Sequence, residues 1–124
     1  MVGSANLNIM IKAARAAGRS LVKDFREVEN LQVSMKGAGD FVSKADRAVE
    51  SCIRDVISDR FPDEPIIGEE LGGQSGSAYW LVDPIDGTSN FLSGMPLWAV
   101  SIAYIEDGHP TLGAVSIPRL SRRL

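Results

Sequence analysis

Cysteine is nearly absent: Cys52 stands alone among 124 residues. No internal disulfide can form, so a reducing, cytoplasmic location is the expectation. Histidine is as scarce. His109 has no Cys or His neighbour and is assigned no metal or acid/base role. Excess positive charge is missing too, because 13 Lys and Arg against 16 Asp and Glu leave a net −3. That balance argues against nucleic acid as a partner by bulk charge. No export signal is visible: Met1 is followed by no basic segment, and Lys12 interrupts Ile9-Met10-Ile11. The uncharged run from Thr88 to Ile105 nears membrane length. It contains Asn90, Ser93, Gly94 and Pro96 and turns strand-like, so no membrane span is expected. What remains, 44% hydrophobic and 23% charged residues, is ordinary for one globular domain with a modest core.

The informative stretch is Tyr79 to Phe91. Tyr79-Trp80-Leu81-Val82 reads as a short buried strand. Asp83-Pro84-Ile85-Asp86 reads as a tight turn in which Pro84 fixes φ. Gly87-Thr88-Ser89-Asn90 offers small residues where a helix could begin. Two carboxylates three apart repel each other unless a cation sits between them, and Mg²⁺ suits carboxylate and carbonyl oxygens. Ile85 could add its carbonyl. The N–H groups of Gly87 and Thr88 could then face a phosphate. Asp-Pro or Asp-Gly alone would mark an ordinary turn. Here a second apolar run, Ile66-Ile67, also ends in acids, Gly68-Glu69-Glu70. Two strands ending in carboxylates can bring them to one sheet edge, where α/β ligand sites lie.

Elsewhere, Leu7, Met10, Ile11, Ala14, Leu21, Val22 and Phe25 recur at helical spacing, predicting a helix from Asn6 to Arg26 with a basic, solvated outer face. Leu31, Val33 and Met35 suggest a short strand, and Lys36 to Asp40 a flexible loop whose lysine could approach phosphate. A second helix is expected over Ser43 to Arg60, capped by Ser43, with Asp46 in its first turn and Ala45, Val49, Cys52, Ile53, Val56 and Ile57 inward. Cys52 on that stripe reads as a buried, inert thiol. Leu71 to Ala78, rich in Gly and Ser, is the expected mobile segment: a linker or a flap over substrate. Leu97 to Ile105 predicts a strand covered on both faces. Glu106 to Pro110 predicts a hairpin turn, and Thr111 to Val115 the returning strand.

Taken together, Gly68-Glu69-Glu70 and Trp80-Leu81-Val82-Asp83-Pro84-Ile85-Asp86-Gly87-Thr88-Ser89-Asn90-Phe91 resemble the signature of the inositol monophosphatase family. Lys36 and Asp40-Phe41-Val42-Ser43-Lys44-Ala45-Asp46 are similar to a supporting upstream segment, with Ser43 for the commoner threonine. The resemblance implies an α+β, layered sugar-phosphatase fold, represented by its N-terminal portion over 1–115. It implies Mg²⁺-dependent hydrolysis of the phosphate monoester of inositol or a related small polyol by metal-activated water. Glu69, Asp83, Asp86 and the Ile85 carbonyl would be metal ligands. Thr88, helped by Asp46 and Glu69, would position the water, while Asp86, Gly87 and Thr88 would bind substrate. Related members act on nucleotide or sugar bisphosphates, and some bacterial relatives are associated with the transcription machinery, so the alternative expectation is a non-catalytic protein that binds partners through its exposed sheet.

Residues 116–124 form a basic tail unlike the family. Codons for Ser-Ile-Pro-Arg can be read one base back as Asp-Pro-Ala, which predicts a frameshift after Val115. The family's downstream Trp-Asp motif has no match, because Trp80 and Trp98 precede Leu81 and Ala99. A half-fold of this kind would leave apolar strand faces uncovered, predicting self-association, a homodimer included.

Overall fold

The computed structural model describes residues 2–30, 35–87 and 98–116, with side chains placed over 5–26, 43–87 and 98–115. Two helices precede a four-stranded sheet: α1 (Val2–Asn30), α2 (Met35–Arg60), β1 (Ile66–Gly68), β2 (Ala78–Asp86), β3 (Ala99–Glu106) and β4 (His109–Ser116). The strands lie in the order β1-β2-β3-β4, with β1 parallel to β2 and the other pairs antiparallel. This is the expected α+β layering. The β3–β4 hairpin turns on Asp107 and Gly108 alone, at φ 49° and 80°. Positive φ at both central residues is what a two-residue turn needs to match strand twist, and Asp-Gly supplies it. His109 and Pro110 therefore belong to β4, not to the turn.

Both helices cover one face of the sheet. Ile66, Trp80, Val82, Val100, Ile102 and Tyr104 point into that layer and are buried against Met10, Leu21, Phe25, Val49, Ile53 and Ile57. Each such large side chain contributes roughly 1.5–3 kcal/mol by leaving water. The stripe of α1 is rotated from the expectation. Ala13, Ala14 and Ala17 are buried while Leu7 is exposed and Ile11 and Val22 are half-buried. Small side chains let the helix axis approach its neighbours closely, so the inner face is chosen by fit as well as hydropathy. On α2, Cys52 and Val56 are likewise half-buried, so Cys52 is not the enclosed thiol expected.

The other face of the sheet is not covered by described residues. Leu81 is 44% exposed and Val115 66%, and Ala99, Ser101 and Ala103 are half-buried. The expectation that β3 is enclosed on both sides does not hold among the described residues.

Helix α2 starts eight residues before Ser43, so Lys36 to Asp40 is helical rather than a loop. Gly37 and Gly39 cost about 1 kcal/mol each in a helix, a propensity that the continuing ladder of hydrogen bonds outweighs. Ser43 is consequently interior, not a cap, and Asp46 lies beyond the first turn. The strand expected over Leu31 to Met35 falls at 31–34 outside the described residues, and Met35 itself opens α2. β4 runs through Ser116, one residue into the segment set apart as the tail.

Candidate metal centre at the strand ends

Parallel pairing of β1 with β2 sets Ile67 beside Leu81 and Gly68 beside Val82. The Glu69 N–H continues the ladder to the Val82 carbonyl at 3.4 Å. Glu69 thus follows Ile67, and Asp83 follows Leu81, on the open face. Together with Ser101 and Ala103 they line a depression of about 420 Å³.

Asp83-Pro84-Ile85-Asp86 is not a tight turn but a bulge inside β2. Asp83 pairs with Ser101 and Asp86 with Ala99, so three steps on β2 answer two on β3. Pro84 and Ile85 are both buried, breaking the alternation. The extra residue reverses the side-chain phase. Asp83 and Asp86, which a regular strand would send to opposite faces, come to the same one. Pro84 fits here because a bulge leaves a residue out of the ladder.

The acids do converge. Glu69 bears on the Asp83 carboxyl, favouring its protonated form, and Asp86 adds its negative field. Burial first, and then these acids, push the Asp83 carboxyl up to about 6, against a small lowering from the Ile85 backbone N–H. Asp46 enters from α2. Burial, followed by the fields of Glu70, Glu69, Asp83 and Glu50, pushes it up to about 7. Every charged neighbour among the described residues that shapes Asp46 is an acid.

Such a cluster fits a hard dication in donor chemistry. Asp83 Oδ1 is buried with no hydrogen-bond partner among the described residues, which leaves a lone pair to be met. The described carboxylates do not close around one point as a ready-made cage of three. Mg²⁺ needs none, since it keeps several waters and takes one or two carboxylates.

Of the other expected site residues, Ile85 has a core side chain, and the backbone group it is seen to bring to Asp83 is its N–H. Gly87 directly follows β2, at φ 90°. Thr88 lies outside the described residues, as does the side chain of Lys36.

Sequence reasoning missed Glu50. It is fully buried on α2, one turn after Asp46, and its carboxylate receives the N–H groups of Glu70 at 2.9 Å and Leu71 at 2.8 Å. Its signal was an acid at a position that shares the inward stripe with Ile53 and Ile57. Leu71, the first residue of the expected mobile segment, is thereby tied down.

Comparison with known proteins identifies the family and the fold. The model of the inositol monophosphatase family matches residues 4–124. Inositol-1-monophosphatase of Mesorhizobium japonicum is 49% identical over 123 residues, covering 97% of this chain and 46% of that protein. Nus factor SuhB of Pasteurella multocida is 41% identical over 115 residues, covering 90% and 43%. The crystal structure of extragenic suppressor protein suhB from Bartonella henselae superimposes with a TM-score of 0.78 at 45% identity, covering 92% of this chain and 45% of that one. The chain spans less than half the length of the relatives it matches. On its match over nearly every residue, the chain belongs to the inositol monophosphatase family.

Proposed function

We propose that this chain carries the metal half-site of a Mg²⁺-dependent phosphate monoester hydrolase acting on inositol monophosphate or a related small polyol phosphate. The observation that supports the reading is the buried Asp83 oxygen with no partner among the described residues, on a carboxyl that Glu69 and Asp86 both bear on. Glu69, Asp83, Asp86 and the Ile85 carbonyl hold the ion, which when bound supplies Lewis acidity to water and to the phosphate oxygens. Glu69 and the Thr88 hydroxyl, backed by Asp46, orient the attacking water. The Gly87 and Thr88 N–H groups hold the phosphate, and Asp86 also contacts substrate. Donors placed in this way matter, because losing one costs roughly 3 kcal/mol of barrier reduction in comparable sites.

A second reading has its own observation. The open sheet face, with Leu81 at 44% and Val115 at 66% exposure, favours a non-catalytic chain that binds a partner. The two readings separate in a Mg²⁺-dependent phosphatase assay on inositol 1-phosphate, with Asp86→Asn as control. Activity abolished by that change supports hydrolysis; no activity with retained partner binding supports the second reading.

A further inference from the structure

Glu50 lies among Val49, Ile53 and Ile57 with none of its surface in water. A carboxylate is costly there unless its oxygens are fully engaged. They are: Oε1 accepts the Glu70 N–H at 2.9 Å, and Oε2 accepts the Leu71 N–H at 2.8 Å and Arg54 Nε at 3.4 Å. Arg54, one turn further along α2, donates from Nη2 to the Gly72 carbonyl. The turn that follows β1 is therefore gripped on its amide side by Glu50 and on its carbonyl side by Arg54. Gly68 and Gly72 close its base through reciprocal backbone bonds of 3.0 and 2.9 Å. Gly68 has no room for a side chain, because a Cβ there would stand 2.1 Å from Glu50 Cδ. The Glu50 carboxylate occupies the space that any other residue at 68 would claim.

Glu69 sits inside this clasp. Its own N–H is tied to Val82, and the next two amides are tied to Glu50. We infer that Glu50, backed by Arg54, is a positioning residue that holds the Glu69 carboxylate beside Asp83 for a divalent cation. The inference rests on the proposed function and deepens it. Supports one shell out from a metal ligand are worth about 10- to 100-fold in metal affinity.

A rival account holds that Glu50 contributes only its negative field. Two variants of the full chain separate the accounts, with Mn²⁺ and Mg²⁺ affinity read by calorimetry and amide exchange read without cation. Glu50→Gln keeps the shape but loses one acceptor and the charge. We expect the Glu70 and Leu71 amides to lose protection and cation affinity to fall about 10- to 100-fold, at unchanged helical content. Arg54→Met leaves the Glu50 charge in place and removes the carbonyl grip. Positioning predicts weaker cation binding in this variant, whereas the field account predicts tighter binding. Arg54 is partly exposed, so its variant keeps the test open if Glu50→Gln fails to fold. Unchanged amide protection in Glu50→Gln, or tighter binding in Arg54→Met, overturns the inference. A wild-type chain that binds neither cation overturns the proposed function and the assignment to a metal ligand with it. In that case the amide exchange still decides whether Glu50 holds the turn.

Discussion

Asp46 and Glu50 lie one turn apart on the same helix face, both buried, and they are opposites. Glu50 is surrounded by donors: two backbone N–H groups and the Arg54 guanidinium. Asp46 is surrounded by acids and held well above the usual carboxylate range. The first arrangement stabilises the fold; the second opposes it and leaves a demand for positive charge. Perturbed acids of the second kind mark functional sites, because selection for folding alone would remove them. The difference separates the carboxylate that holds the turn from the one we propose for the site.

The comparison breaks most visibly at Glu50. Replacing it by Ala leaves two turn amides without acceptors, and we expect a loss of about 3 kcal/mol in denaturant unfolding. Asp46→Asn should act in the other direction. A folded-state value raised from 3.8 to about 7 means the folded chain keeps a proton that the unfolded chain releases. Stability therefore falls as pH rises from about 4 to about 7, then levels. Asp46→Asn removes that slope, so its gain in melting temperature is near zero below pH 4 and largest above pH 7. A variant that gains equally at pH 3.5 and 7.5 would contradict the assignment.

A third carboxylate extends the contrast. Glu64 accepts from Trp80 Nε1 at 2.5 Å and from the Tyr104 hydroxyl at 3.1 Å, so it belongs with Glu50. Trp80→Phe keeps a ring between Phe61 and Tyr104 but deletes a donor, and should cost roughly 1–2 kcal/mol by thermal or denaturant unfolding. The smallest effect belongs to the open face. Leu81→Lys should change stability by less than about 0.5 kcal/mol while reducing self-association in light scattering.

Much of this was legible in the chain itself. The Tyr79–Val82 strand, the β3–β4 hairpin and the meeting of two acidic strand ends followed from local pattern and turn chemistry. The bulge was not, because Asp-Pro-Ile-Asp is equally good turn chemistry. Only pairing with β3 shows that the strand continues. The start of α2 was hidden by Gly37 and Gly39, whose local preference is overridden by helix continuation. The α1 stripe was misjudged because alanine carries a weak hydropathy signal and a strong packing one. Glu50 was passed over because a glutamate on an apolar stripe has no evident purpose until the 69–72 turn is folded against it.

The most direct test of a shared dication is a Mg²⁺ and Mn²⁺ titration of the chain with proton release measured alongside, in wild type, Glu69→Gln and Asp83→Asn. The wild type should bind with protons released, more at pH 6 than at pH 8, because Asp83 and Asp46 still hold protons at the lower pH. Either substitution should sharply weaken binding. Cation affinity and proton release that are unchanged in both variants would contradict the claim that Glu69 and Asp83 meet to hold an ion.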